Sequence, residues 1–313
     1  MSVFATPRYV LYALAACTLL SFSHARAQVG DGPRAYFPPP IDTNLLSVYG
    51  MRVEGNSTLA SGVVVKAFDL KVDLAVLQYT RTKELFGRYV SLSAILPYGT
   101  IDPRLQVGSS SPDRKQTGWS DASLLMTVGL INLPPFNREE WVKFKPGFSA
   151  GGLIQLNLPT GKYDPDRLVN IGANRYSLRL GFVGSFVLGE SLLDSRLTTF
   201  DVIPSVIFYG DNDEAFGGGT IEQSALFSLE GHVTHNFNKA LWGSFDLLAL
   251  SGGKTTTDDV SNDNKQESLA LGATIGLNLS KQFAMKASYG KVVHRNDDGL
   301  DGDQFRLNLS YLF

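Results

Sequence analysis

Three histidines follow residue 27, at His232, His235 and His294, and hydrolytic or metal chemistry would have to run through them. A nucleophilic serine needs an imidazole within hydrogen-bond reach. His232 and Ser228 share one face of an alternating segment, but at ~3.3 Å per residue they stand ~13 Å apart and do not touch. His232 and His235 are three apart, on opposite faces of a strand, which does not suit a shared metal. The acidic stretches Asp211-Asn212-Asp213-Glu214, Asp258-Asp259 and Asp297-Asp298-Gly299-Leu300-Asp301-Gly302-Asp303 could take up Ca²⁺. None has the spacing of the calcium-binding helix-loop-helix motif, and Asp, Asn and Gly are ordinary turn formers. These residues point away from an enzyme, and no metal or cofactor is expected.

Arg8, the apolar run from Val10 to Phe22, and Ala25-Arg26-Ala27 read as a cleavable secretory signal over residues 1–27, with a mature start at Gln28. The run is shorter than the ~20 residues of a membrane helix. Leu14-Ala15-Ala16-Cys17 offers a second reading, a lipidated Cys17. The signal carries two of the 28 Lys+Arg and none of the 30 Asp+Glu, so the remainder has 26 basic residues and a net charge of −4. It also carries the only cysteine. A cysteine-free exported chain is no disulfide scaffold, and nothing is basic enough to imply nucleic acid.

The elements that must position any site are strands. Gln304-Phe305-Arg306-Leu307-Asn308-Leu309-Ser310-Tyr311-Leu312-Phe313 alternates apolar and polar and stops on an aromatic residue. Period two means one strand with two different faces. An apolar face on an open edge invites aggregation, and a closed membrane barrel removes the edge. Similar segments recur near 45–54, 69–81, 86–97, 120–131, 147–158, 175–188, 197–209, 222–236, 241–251, 267–279, 282–293 and 303–313. The connections between them alternate in length. The long set is 55–68, 98–119, 159–174, 210–221, 252–266 and 294–302; the short set includes Asn238-Lys239-Ala240 and Ser280-Lys281, with 132–146 the exception. Long outer loops and short periplasmic turns mark outer-membrane barrels. The expectation is an all-β chain forming a single closed antiparallel transmembrane barrel of about twelve strands over 44–313. Residues 28–43 are read as a periplasmic segment, both termini as periplasmic, and outer-membrane lipid as the surrounding medium.

Lipid faces are assigned by their lack of charge, since a charge at mid-bilayer costs about 2–4 kcal/mol. Phe305, Leu307, Leu309 and Tyr311, then Leu269, Leu271, Ile275, Leu277 and Leu279, and Leu178, Leu180, Phe182 and Phe186 face lipid on this rule. The polar faces then place Lys71, Asp73, Arg179, Asp201, Glu230, Asp246, Lys286 and Arg306 in the lumen. They either line an aqueous conduit or brace a narrow interior, because small barrels fill with side chains. Aromatic residues at strand ends suggest interface girdles: Phe237, Trp242, Phe283 and Phe313 at one end, Tyr98, Trp119, Tyr176 and Phe208 at the other.

The block Pro159-Thr160-Gly161-Lys162-Tyr163-Asp164-Pro165-Asp166-Arg167-Leu168-Val169-Asn170-Ile171-Gly172-Ala173-Asn174-Arg175-Tyr176-Ser177 is distinctive. With Ile95-Leu96-Pro97-Tyr98-Gly99 and Phe208-Tyr209-Gly210-Asp211-Asn212-Asp213 it resembles the outer-membrane family of phenol meta-pathway degradation proteins, often labelled simply transporters. The resemblance runs from about Asn44 to Phe313 and implies a barrel for uptake of aromatic or other hydrophobic small molecules. Tyr311-x-Phe313 looks like the terminal signal read by the barrel-assembly machinery. In the loop block, Pro159 and Pro165 restrict the chain while Gly161 and Gly172 permit tight turns. Tyr163, Asp164, Arg167, Asn170, Asn174 and Arg175 could greet a solute or lock the loop to the wall. A non-transport barrel that braces the envelope or binds a partner is the rival reading.

Overall fold

The computed structural model describes residues 31–56, 64, 68–105 and 115–313. The signal reading over 1–27, with Cys17, lies outside the described residues, as do parts of the loops at 55–68 and 98–119. In chain order the elements are β1 (Asn44–Gly55), β2 (Phe68–Leu85), β3 (Arg88–Leu105), β4 (Gln116–Trp119), β5 (Ser123–Ile131), α1 (Arg138–Lys143), β6 (Phe148–Asn157), β7 (Ser177–Leu188) and β8 (Thr198–Tyr209). They continue with β9 (Ile221–Gln223), β10 (Leu226–Asn236), β11 (Leu241–Gly252), β12 (Thr255–Thr257), β13 (Val260–Ser261), β14 (Gln266–Asn278), β15 (Phe283–Arg295) and β16 (Gly302–Leu312).

Each long strand pairs antiparallel with its neighbours, and β1 pairs with both β2 and β16. The sheet therefore closes into a barrel of twelve strands, with β4 and β5 sharing one place beside β3. Closure satisfies every edge, which a lipid-covered sheet requires. At one rim, here the terminal rim, Asn44 and Phe313 exchange backbone hydrogen bonds of 2.9 Å. The other is the loop rim, where β9, β12 and β13 form a separate small sheet.

The alternation predicted from sequence is visible in the burial of β10. Leu226, Ser228, Glu230, His232, Thr234 and Asn236 are buried, while Phe227, Leu229 and Val233 are exposed. The outer faces assigned to lipid agree: Phe305, Leu307, Leu309, Leu271, Ile275, Leu180, Phe182 and Phe186 are all exposed. Tyr311 stacks on Phe283 and Phe313 at the terminal rim, and Tyr98 meets Trp119 edge-on at 5.1 Å towards the loop rim. Trp242 departs from the expected girdle, because it points inward and is buried under Arg34.

Short turns close the terminal rim as expected. Asn238 accepts from the Ala240 and Leu241 amides, and the Ser280 hydroxyl from those of Gln282 and Phe283. The exception at 132–146 holds α1, started by a capping box in which Asn137 and Glu140 satisfy each other's backbone N–H. Its Trp141 and Phe144 pack with Phe37 against Val187, Leu192 and Leu197. The long connection therefore covers the terminal mouth.

Candidate functional site

Residues 31–43, expected outside the barrel, run into it. The turn at Asp42 and Thr43 is pinned to Thr82, the Pro38 carbonyl accepts from Trp141 at 2.7 Å, and the chain then climbs the lumen. Arg34 donates to Thr234 and Asn236 and lies 4.3 Å over Trp242. Lys286 donates to the Pro33 carbonyl at 3.0 Å. Gly32 donates its amide to Glu230 at 2.8 Å. Its φ of +89° and the Arg306 guanidinium, 2.0 Å from where a Cβ would stand, leave room for glycine alone. Asp31, at the top, meets Arg179 and Tyr36, each at 2.5 Å.

Behind the inserted segment the wall carries a continuous polar chain. Arg179 stands 3.7 Å from Glu230, and Glu230 meets His232 Nε2 at 2.8 Å. His232 Nδ1 meets Asp246 at 2.7 Å. Asp246 accepts from Ser244 and Thr274, and Thr274 also contacts Ser288 at 2.9 Å. Asp201 accepts from Ser185 and Thr199. These residues sit on β7, β8, β10, β11, β14 and β15, so one network ties half the barrel to the inserted chain. It was hidden from sequence reasoning because its partners lie up to 253 residues apart. A narrow cavity remains between the segment and the wall, bounded by Tyr36, Phe37, Val183, Ile203 and Asp201.

Of the eight residues placed in the lumen from sequence, Arg179, Asp201, Glu230, Asp246, Lys286 and Arg306 take part in this arrangement. Lys71 and Asp73 do not. They lie on the outer face, where Asp73 pairs with Arg52 at 2.6 Å and Lys71 stands 3.9 Å from Glu54. The inner face of β2 is instead Leu70, Val72, Leu74 and Val76. The polar-inside rule fails there because the facing lumen is not water. Val169 and Ile171 of the 159–177 loop enter from the loop rim and pack on that apolar face.

The loop is held throughout. Asp121 accepts from the Gly161 and Ala173 amides, and Ser120 donates to the Ile171 carbonyl. Asn170 accepts from the Asp164 amide and donates to the Asp164 and Arg167 carbonyls, while Gln116 bonds to Asn170 and receives the Ile171 amide. Tyr163 donates to the Glu214 carbonyl, Asn174 to Asn212, and Arg175 contacts Gln223 and covers Tyr209. Gly161 and Gly172 cross so closely that a Cβ on either falls 2.7 Å from the other's backbone. Pro159 begins the loop just beyond β6. The motif residues mostly bond to their own fold.

A Gly-x-Ser-x-Gly pentapeptide, Gly147-Phe148-Ser149-Ala150-Gly151, is a pattern the sequence reasoning passed over. A nucleophile elbow needs a sharp strand-to-helix turn, whereas Phe148–Asn157 is one continuous strand. Among the described residues, no group of three or more His, Cys, Asp and Glu is arranged for a metal.

No curated protein matches the chain. Among solved structures, an outer membrane channel from Pseudomonas putida F1 is similar at 19% identity and a TM-score of 0.73, over 90% of this chain and 99% of that one. The translocator domain of the autotransporter NalP from Neisseria meningitidis matches at 9% identity and a TM-score of 0.50, over 99% of each chain. Both likenesses concern the fold, that of an outer-membrane barrel. The sequence itself matches a family profile over residues 55–309, and the chain belongs to the family described as "Putative MetA-pathway of phenol degradation".

Proposed function

We propose that the protein is an outer-membrane channel for facilitated diffusion of small hydrophobic or aromatic molecules, without catalysis or cofactor. One observation carries this reading: the lumen is filled by two chain segments, residues 31–43 and the 159–177 loop, rather than by the wall's own side chains. Small eight-stranded barrels close with side chains alone. In this wider one, the inserted N-terminal segment is tied by hydrogen bonds and ion pairs, which water can replace. A solute path opens when it shifts. The family's association with phenol degradation supports an aromatic cargo. The similar Pseudomonas putida protein is described as a channel, and that supports transport. Both termini face the periplasm in this reading, the signal over 1–27 directs export, and Tyr311 and Phe313 are read by the barrel-assembly machinery.

Purified protein in lipid vesicles tests it. Entry of phenol-sized solutes faster than into empty vesicles is expected, together with slowed growth of a deletion strain on limiting aromatic carbon sources. Vesicles no leakier than controls, and unchanged growth across a panel of such sources, would remove the channel reading. The polar network from Asp31 to Ser288 favours a second reading, a braced and closed barrel. That reading predicts no solute flux even after the Glu230 and Arg179 anchors are removed.

A further inference from the structure

The inner wall is of two kinds. From Arg179 on β7 round to Lys286 on β15 it carries the charged chain, whose members bond to one another or to the inserted segment. A second strip is apolar and continuous. It starts near the loop rim with Leu70, Val72, Leu74 and Val76, successive inward positions of β2. From Val76 it crosses the sheet. Ile95 lies opposite Gln78, Leu125 opposite Ser93, Leu153 opposite Thr127 and Val183 opposite Gly151. Each is thus a diagonal neighbour of the one before, within reach of long side chains. Val183 packs with Ile203, and further down β7 Val187 packs with Leu192 at the terminal mouth. None of these positions is charged. Barrel interiors that only enclose water are polar, so the strip calls for another explanation.

We propose that this strip is a binding groove for neutral, apolar solutes, running from the loop rim to the terminal mouth beside the inserted segment. The inference rests on the channel reading and adds the place and polarity of the route. Both ends of the strip are covered by side chains that do not belong to the wall. Val169 and Ile171 of the 159–177 loop lie on the β2 end, and Tyr36 lies on Leu153, Val183 and Ile203. They fill the surface as an apolar solute would. Between the ends, Ile95 and Leu125 are only partly buried. Aliphatic wall left open to water is unfavourable, and an apolar solute covers it. The cavity beside Tyr36 adjoins a second one, and the two share Tyr36, Leu133 and Val183. Gly151, opposite Val183, deepens the second. The charged half has no such opening for a charged solute, because Glu230, His232 and Asp246 bond to one another and Arg179 to Asp31.

The test introduces single thiols, since Cys17 is the only native cysteine. I95C, L125C and V183C mark the groove. S310C marks the polar inner face of β16, where Ser310 bonds to Ser47 and Asn308. Each protein, in lipid nanodiscs, is treated with benzyl methanethiosulfonate or with its charged sulfonatoethyl analogue, and mass spectrometry follows labelling. Rates are divided by those of each reagent with free cysteine. The benzyl reagent is expected to label the three groove sites at least about tenfold faster than the charged one, which an apolar groove excludes. S310C should show no such preference. Toluene should slow benzyl labelling at the groove sites and leave S310C unchanged. Groove thiols that react with neither reagent would mean a closed core and overturn the proposal. Equal rates with both reagents, or equal protection of S310C by toluene, would overturn it too. Should the leucine or isoleucine variants fail to fold, V183C, a near-isosteric change beside both cavities, carries the comparison. The groove stands or falls on labelling, and the channel reading on flux into vesicles, so either can fail alone.

Discussion

Glu230 is the residue on which the lumen turns. It is 1% exposed and receives the Gly32 amide, His232 Nε2 and the Arg179 charge together. Removing one partner of a buried charged set leaves the others unpaired, which costs about 3–5 kcal/mol. Glu230→Ala is therefore expected to lower the temperature at which the barrel loses its folded gel mobility, and to raise solute flux by releasing residue 32. Glu230→Gln keeps an acceptor for the amide and should do less. A fall in stability with flux unchanged would mean that Gly32 is not what holds the segment. Asn170 gives the second residue-level expectation. Its side chain closes the 164–170 turn with three hydrogen bonds and receives a fourth from Gln116. Asn170→Ala should cost about 2 kcal/mol of heat stability through the unpaired groups left behind. Normal stability with failed uptake would instead make it a solute contact.

Among elements, legibility followed from whether neighbours in sequence are neighbours in space. The twelve strands were readable because alternation is local, and Asn238 and Ser280 marked their turns for the same reason. The inward face of β2 was readable in part. Gln78 and Thr80 against Leu77 and Tyr79 fix which side is lumen, and carrying that phase upward turns Lys71 and Asp73 outward. Charge alone misassigned them, since strands of 18 residues reach beyond the hydrocarbon. The inserted segment was not readable. Gly32, Pro33 and Pro38 announce only irregular chain, and its partners are some 150–250 residues away. The terminal-rim turn from Gly189 to Leu197 carries a pH expectation of its own. Backbone N–H groups of Glu190 and then Arg196 hold the Asp194 carboxyl below its ordinary value. A lowered carboxyl stabilises the fold above its unfolded value, near pH ~3.9, and that contribution is lost as pH falls through the folded value. Hydrogen exchange at Glu190 and Arg196 should rise, beyond intrinsic rates, as pH falls below about 4. Asp194→Asn should flatten the change, and an identical acid profile in the variant would dismiss the turn as its source.

For the whole molecule, everything depends on what covers the outer wall. Leu309 lies on β16 between the level of Tyr98 and the Tyr311–Phe313 rim, pairs with Val48 and Met285, and is 46% exposed. In water that exposure would be harmless and a charge there nearly neutral. In lipid, an arginine at the same height costs about 2–4 kcal/mol, falling to ~0–1 near the interface. The magnitude distinguishes the two settings. Leu309→Arg should destabilise the barrel in bilayers by that amount in urea titrations, while Arg52→Leu, beyond the Tyr98–Trp119 pair towards the loop rim, should stay within about 1 kcal/mol. An inward change such as Ser288→Ala is the control, because it loses one hydrogen bond inside without touching lipid. If Leu309→Arg proved as stable as wild type, the wall would not lie in hydrocarbon. The closed sheet would then need another protein layer to explain its apolar exterior.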